Sequence, residues 1–280
     1  MASGSASYLG FGRVLAMAGA LLVCAPPAFA AWSVVAIDQS TGTVVIASAA
    51  CVVQSSFALF PAKSLMDLQA IIVPGKGVAV AQAATDVTRA NQDRIFVEID
   101  KGTDPRQIIE LLKSDKEIDN RQFGVVDLQG RAAGFTGSRT SPSTLDRRGQ
   151  VSGAGIVYSI QGNLLASDEV VTAAEAALKS NPGTIADRVM AAMEAADAKG
   201  GDKRCTCDTP PRPRTCDTKT SQVAYILRAE ATDARGPGVN DGKYAMYVSV
   251  TNDDITPAEN ANPVRTLRLR YDAWKKAHPR

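Results

Sequence analysis

Short strands and amphipathic helices alternate in pairs along this chain, and that order constrains its fold more than any other feature. Runs of β-branched residues bounded by turn residues predict strands, and apolar residues three or four positions apart predict helices. Strands are predicted at residues 32–37, 44–48, 77–82, 122–127, 131–136, 154–160, 223–229 and 243–250. Helices are predicted at residues 85–99, from residue 104 onward, and at 168–179, 184–199 and 262–276. This order is typical of an α+β protein in which helices cover antiparallel sheets.

Capping and turn residues indicate where some of these elements begin and end. Asp104 followed by Pro105 is typical of a helix N-cap, and Thr85 is expected to cap the helix before it. Residues 137–150 are polar and are predicted to be irregular. Residues 161–163 are predicted to form a turn, because glycine and asparagine favour turns.

The first 30 residues have the pattern of a signal peptide. Arg13 is the only charged residue before Asp38, an apolar run follows at 14–23, and residues 28–30 fit the small-x-small cleavage rule. The run is too short to span a bilayer, which needs about 20 residues. A membrane anchor and lipoprotein processing at Cys24 are the alternatives. We therefore expect a single mature domain of residues 31–280 that is exported to the periplasm or the exterior, without stable membrane insertion.

Four cysteines remain once the signal is removed: Cys51, Cys205, Cys207 and Cys216. An even number in an oxidising compartment predicts two disulfides. A bond between Cys205 and Cys207 would be strained, because one residue separates them. We favour Cys207–Cys216, within the cysteine- and proline-rich loop at 202–220, together with Cys51–Cys205. A zinc site built from the same thiols is the alternative.

Charge and histidine content exclude several function classes. The formal net charge of +2 gives no overall electrostatic argument for nucleic-acid binding. The basic helix at 262–280 is expected to present a solvated face, with binding to an anionic surface as the alternative. His278 is the only histidine, which argues against Ser-His-Asp catalysis and against metal sites built from several histidines. No complete glycine-rich dinucleotide or phosphate-loop motif occurs, so we expect no cofactor and no metal.

A series of short motifs extends over about residues 31–230. The motifs are Trp32-Ser-Val-Val-Ala-Ile-Asp38 with Thr41-Gly42, Gln122-Phe-Gly-Val-Val-Asp-Leu-Gln-Gly-Arg131, Phe135-Thr136-Gly137, Tyr158-Ser-Ile-Gln-Gly-Asn-Leu-Leu165 and Gly200-Gly-Asp-Lys-Arg204. Their order and spacing resemble the domain-of-unknown-function 1028 (DUF1028) family. The resemblance implies a four-layer αββα sandwich of antiparallel sheets, the fold of N-terminal-nucleophile (Ntn) hydrolases. The residues around Cys51 and Cys205 resemble exported members, which supports the pairing of these two cysteines.

The resemblance places a candidate active site at the mature N-terminus. In an Ntn hydrolase the first side chain attacks an amide carbonyl, and the free α-amine takes up its proton. The family usually begins with threonine, whereas this chain has Ala31, which supplies the amine but no attacking oxygen. Ser33 lies two residues further along and is expected on the same face of the strand, either near the site or simply packed in the sheet. The stretch at 82–85 departs from the family pattern, and residues 236–262 have no match.

Four further residues are candidates for the same site. Asn163 is assigned to catalysis and Gln161 to substrate binding, because carboxamides can stabilise an oxyanion or hold a substrate. Asp202 is suited to orienting the terminal amine, and the alternative is a salt bridge with Arg204. Thr136 is a candidate substrate contact, with a structural role in its hairpin as the alternative.

Two functions from different classes fit these observations. The first is an exported Ntn-type amidohydrolase or peptidase that acts on a small amide or peptide-like ligand through its mature N-terminus. The second is a binding or structural relative that keeps the fold without turnover, because loss of the nucleophile costs orders of magnitude in rate. An open sandwich would also suit a homodimer.

Overall fold

Two antiparallel sheets carry much of the backbone in the computed structural model, which describes residues 1, 28–29, 31–60, 62–141, 143–213 and 215–279. The strands are β1 (Ala28–Phe29), β2 (Ala31–Asp38), β3 (Val44–Ala50), β4 (Ala70–Val73), β5 (Gly77–Ala84), β6 (Arg121–Asp127), β7 (Ala132–Thr136), β8 (Leu145–Val151), β9 (Ile156–Gly162), β10 (Val223–Ala229) and β11 (Met246–Thr251). The helices are α1 (Leu65–Gln69), α2 (Ala90–Lys101), α3 (Pro105–Leu112), α4 (Glu169–Ser180), α5 (Ile185–Ala198) and α6 (Pro263–Ala277). The apolar run at 14–23 of the predicted signal peptide and Cys24 lie outside the described residues. None of the helices in the described ranges is both long and apolar enough to cross a membrane.

The strands form one six-stranded and one five-stranded sheet. The six-stranded sheet has the order β11-β10-β3-β2-β9-β8. The five-stranded sheet has the order β1-β5-β6-β7, and β4 also pairs with β5. All these pairings are antiparallel, which agrees with the predicted α+β class.

Three hydrophobic clusters connect the sheets and helices. One packs the six-stranded sheet against α4, α5 and α6, and includes Trp32 and Met190. The inter-sheet cluster packs the two sheets against each other through residues such as Val35 and Val80. The third packs the five-stranded sheet against α2 and α3, for example through Ile108. Each of these sheets therefore buries apolar side chains on both faces.

The start of α2 was predicted wrongly, since the helix begins at Ala90 and not at Thr85. The carboxylate of Asp86 accepts hydrogen bonds from the backbone N–H groups of Thr88 and Asn91, at 3.0 Å each, and so stabilises a turn. Arg89 then adopts the left-handed conformation with φ of 60°. Local side-chain bonding of this kind competes with helix formation.

The segment predicted to be irregular contains β8, which pairs with β9 at the edge of the six-stranded sheet. Charged residues such as Arg147 are compatible with this position, because one side of an edge strand faces solvent. The turn predicted at 161–163 is also partly wrong. Gln161 and Gly162 belong to β9, where they pair with Ser33 and Trp32.

Both predicted disulfides are confirmed. Cys51 is bonded to Cys205 with a Cα–Cα distance of 5.5 Å, and Cys207 to Cys216 with a distance of 5.7 Å. The four sulfurs are thereby engaged, so the alternative zinc site does not form. The first bond connects the end of β3 to the loop after α5, and the second closes a short loop.

Four of the five basic residues of α6 form salt bridges with acidic residues elsewhere in the chain. The guanidinium of Arg270 contacts Glu259 at 2.7 Å, and the ammonium of Lys275 contacts Asp187 in α5 at 2.5 Å. Burial alone would raise the pKa of Asp187, but hydrogen bonds from Lys275 and neighbouring groups outweigh it and hold that pKa at about 2. These contacts favour a structural role for the charges of α6.

Removing the two disulfides should have unequal effects on stability. The sequence separations are 154 residues for Cys51–Cys205 and 9 for Cys207–Cys216. Because loop-closure entropy grows with loop length, replacing the first pair by alanine should lower the free energy of unfolding by about 2–3 kcal/mol more than replacing the second. Urea unfolding of the two double variants measures this difference, and equal losses would contradict the expectation.

Candidate functional site

The start of β2 is the point at which the chain passes from one sheet to the other. Ala28 and Phe29 pair with Ala84 and Ala83 of β5, in the five-stranded sheet. From Ala31 onward the chain lies inside the six-stranded sheet, between β3 and β9. Cleavage after residue 30 would therefore leave the new α-amino group where the two sheets meet.

Two of the predicted catalytic residues lie near this end of β2. Ala31 pairs with Ala50 of β3 on one side. On the other side Trp32 pairs with Gly162 of β9. Because these strands are antiparallel, Asn163, the residue after Gly162, lies opposite the position of Ala31. The carboxylate of Asp202 accepts a hydrogen bond of 3.2 Å from the backbone N–H of Cys51, next to Ala50. The structure thus brings the positions together, while their catalytic roles remain predictions.

The inter-sheet face of β2 changes from apolar to polar toward Ala31. Val35 belongs to the inter-sheet cluster. Ser33 lies two residues before it, so its side chain is on the same face of β2. Ser33 is fully buried, and its Oγ donates to Oε1 of Gln82 at 2.5 Å and accepts from Nε2 of Gln161 at 2.8 Å. Ser159 Oγ donates in turn to Oε1 of Gln161 at 2.8 Å. The hydroxyl of Ser33 is thus held from both sheets.

Carboxamides on β5 and β6 extend this pattern. Gln82 Nε2 donates to Oε1 of Gln122 at 2.7 Å. Gln122 Nε2 donates to the carbonyl of Gly162 at 3.1 Å and to Oγ1 of Thr136 at 3.0 Å. Asn163 Nδ2 donates to Oε1 of Gln122 at 3.3 Å. We call the whole set the inter-sheet polar network; it comprises Ser33, Gln82, Gln122, Thr136, Ser159, Gln161 and Asn163.

Gly124 of β6 makes room for this network. A Cβ atom at this position would overlap with Oε1 of Gln161 and would lie 2.8 Å from Oγ of Ser159. The backbone of the five-stranded sheet therefore approaches the polar side chains of β9 closely. Any larger residue at position 124 would displace them.

One acceptor of the network has no partner among the described residues. Asn163 is fully buried, and its Oδ1 has no hydrogen-bond partner there, although its Nδ2 is bonded. A buried acceptor without a donor costs about 1–3 kcal/mol. A ligand N–H reaching this oxygen would remove that cost, which makes Asn163 the network residue best suited to recognition.

Asp202 forms the salt bridge that was the alternative to a catalytic role. Its carboxylate is fully buried, and the guanidinium of Arg204 donates to Oδ1 at 3.0 Å and to Oδ2 at 2.8 Å. Arg204 also donates to the carbonyl of Cys51 at 3.3 Å. Asp202 thereby fixes the loop that carries the Cys51–Cys205 bond.

Sequence reasoning missed three residues of the network, Gln82, Gln122 and Ser159, and it missed Gly124 beside them. A signal for Gln82 was present, because Val78, Val80 and Gln82 alternate along β5 and therefore share one face. No local pattern shows which faces of two sheets meet, so the contacts among these residues could not be derived from spacing alone.

The close approach at Gly124 predicts that Gly124→Ala lowers the melting temperature. Overpacking of a filled interior costs about 1–3 kcal/mol. Gly153→Ala is the control, because a Cβ there meets nothing within 4 Å and only the positive φ of 72° opposes the change. Thermal unfolding of both variants makes the comparison. A Gly124→Ala protein as stable as the wild type would show that the network is looser than described.

Two comparisons with known proteins agree with this architecture. The sequence pattern of a family described as "Family of unknown function (DUF1028)" matches residues 31–208. The crystal structure of protein SPO2555 from Silicibacter pomeroyi, assigned to the same family, is similar with a TM-score of 0.60 and 20% sequence identity, covering 88% of this chain and 89% of that one. At this identity the likeness shows a shared fold only. No curated protein matches the chain. The family match spans more than half of the chain, which therefore belongs to the DUF1028 family.

Proposed function

We propose that the mature chain is an exported relative of the Ntn hydrolases that binds an amide- or peptide-like ligand at its N-terminus without hydrolysing it. The observation that carries this proposal is the position of Ser33, the hydroxyl residue nearest to Ala31 along β2. Its Oγ is fully buried and engaged as both donor and acceptor.

The order of the clusters supports an Ntn-like, four-layer αββα sandwich. Helices α4, α5 and α6 pack on the six-stranded sheet, the two sheets pack on each other, and α2 and α3 pack on the five-stranded sheet. Export is supported by the signal-like sequence and by the two disulfides, which persist in oxidising compartments.

Covalent catalysis at this site would need an oxygen beside the terminal amine. Ala31 supplies the amine alone. Freeing Ser33 would break its bonds to Gln82 and Gln161 and leave buried partners unpaired, at about 1–3 kcal/mol for each group. Ser33 is therefore a poor substitute for the missing nucleophile.

The groups that remain are suited to recognising an amide. The α-amine of Ala31 can donate to the carbonyl of a ligand, and Oδ1 of Asn163, which has no partner among the described residues, can accept from its N–H group. A neutral amide offers this donor and acceptor pair, whereas an ester offers only the acceptor. The proposed ligand class is therefore a small amide or a peptide.

An exported amidohydrolase or peptidase is the second candidate, and one observation favours it. The chain changes sheets immediately before Ala31, so cleavage after residue 30 would create a free amine between the two sheets. That placement would serve catalysis if a hydroxyl came within reach of the amine.

Restoring the hydroxyl tests the two candidates. In the mature protein, Ala31→Thr should hydrolyse N-acetyl dipeptide amides that the wild type binds without turnover, because threonine places an oxygen beside the amine. We expect a rate at least about 100-fold above that of the wild type. Ala31→Val is the control, since valine has the shape of threonine without its oxygen. Calorimetric titration measures binding, and mass spectrometry measures product.

Two results would contradict the binding proposal. One is hydrolysis by the wild type that Ser33→Ala abolishes, which would make Ser33 the nucleophile and favour the amidohydrolase. The other is a wild type that neither binds nor cleaves any amide of the panel, combined with an inactive Ala31→Thr variant.

A further inference from the structure

A cavity of about 420 Å³ lies between the loop closed by Cys207–Cys216 and the segment that leads into α6. Its volume falls in the range of about 300–1,000 Å³ that is usual for small-molecule sites. Its lining begins at Pro211 and ends at Pro263, beyond the residues 31–208 that match the family. None of the inter-sheet polar network contributes to it.

Hydrogen bonds from the following segment hold the loop in place over this cavity. The ammonium of Lys219 donates to the carbonyl of Pro211 at 3.0 Å. The amide Nε2 of Gln222 donates to the carbonyl of Pro210 at 2.9 Å. Together with the disulfide, these bonds make the wall of the cavity a preformed structure.

Lys219 is a buried cation that has no counter-charge among the residues that the structure describes. The residue is only 6% exposed, and no carboxylate among the described residues lies within ion-pair distance of its ammonium. Burial lowers the pKa of Lys219. Because an unpaired buried charge is costly, an anion bound at this ammonium would be stabilised by it.

The acidic residue that lines the cavity, Glu259, does not neutralise the charge of Lys219. Glu259 is bound by the guanidinium of Arg270, at 2.7 Å from Nε and 2.9 Å from Nη2. Hydrogen bonding to Arg270 holds the pKa of Glu259 at about 2, so this carboxylate is already compensated. The other charged group of the lining is the cation Arg212, which donates to the backbone carbonyl of Asp208.

Gln222 adds a second polar group with an unmet requirement. It is 1% exposed, and its Oε1 has no hydrogen-bond partner among the described residues. Since Nε2 of the same side chain is bonded to Pro210, rotating the amide would only exchange one unpaired atom for another. A ligand N–H or O–H would satisfy this oxygen.

The rest of the lining is mostly apolar and rigid. Its apolar members are Pro211, Pro213, Ile255, Pro257, Ala261 and Pro263. Proline rings have little conformational freedom to lose when a ligand packs against them. This surface suits a hydrocarbon body and disfavours a small, strongly hydrated anion.

We propose that this cavity binds a small organic acid. The ligand's carboxylate lies at Lys219, its apolar body packs against the prolines, and any N–H or O–H group it carries donates to Gln222. Arg212, at the loop, provides a second positive charge for the same anion. This site is independent of the function proposed for the mature N-terminus.

A comparison of matched probes tests the proposal. The mature wild-type protein is titrated calorimetrically with hexanoate, with hexanamide, which has the same chain length but no charge, and with inorganic phosphate. A charge-assisted hydrogen bond predicts that hexanoate binds at least about tenfold more tightly than hexanamide. Lys219→Met should abolish this preference, because methionine keeps the apolar stem without the charge. Lys116→Met, which changes an exposed lysine outside the cavity lining, should leave the preference intact.

NMR of wild-type protein that carries isotope-labelled lysine provides a test of binding that does not require any variant to fold. Hexanoate should shift the NMR signal of Lys219 selectively. Equal affinity for hexanoate and hexanamide, a preference that survives Lys219→Met, or an unchanged Lys219 signal would each overturn the proposal. Phosphate binding as tight as that of hexanoate would overturn it too, because the apolar lining would then contribute nothing.

Discussion

The hydrogen bonds that cross between the two sheets are the constraint on which the rest of the site depends. Ser33 and Gln161 extend from the six-stranded sheet, and Gln82 and Gln122 from the five-stranded sheet. Hydrophobic burial is non-directional, whereas buried carboxamides must be oriented toward specific hydrogen-bond partners. The inter-sheet polar network therefore fixes how the two sheets are aligned, which the neighbouring apolar cluster alone would leave less defined.

This alignment determines what the N-terminal end of β2 can do. It brings Asn163 next to the position of Ala31 and keeps the hydroxyl of Ser33 inside the protein. In the proposed function, the same contacts exclude Ser33 as a replacement for the nucleophile that Ala31 does not supply. The proposed binding function rests on this arrangement, because rigid donors and acceptors can bind a ligand without providing an atom that attacks it.

Local chemistry made part of the fold predictable. The side chain of Asp104 caps α3 by accepting a hydrogen bond from the N–H of Arg106, as the Asp-Pro pair predicts. The spacing of Cys205 and Cys207 argued against one of the three possible disulfide pairings, and the resemblance to exported family members supported the pairing that the structure confirms. The strand β8 could not be predicted in this way, because its charged residues are stabilised by pairing with β9, a contact between segments separated in sequence.

The candidate sites depend even more on contacts between segments that are distant in sequence. Gln122 was visible only as part of a family motif, and its partners lie on other strands. Lys219 has no distinctive sequence context, and the lack of a carboxylate near its ammonium among the described residues becomes evident only when the loop folds over it. Burial and the absence of a partner depend on tertiary packing, which a single sequence does not display.

The central claim is that the mature chain begins at Ala31 and that Ser33 remains an internal, hydrogen-bonded residue. Intact-mass measurement of the secreted protein tests it most directly. The account predicts the mass of residues 31–280 with two disulfides. A mass corresponding to residues 33–280 would contradict it, because the hydroxyl of Ser33 would then stand beside a free amine.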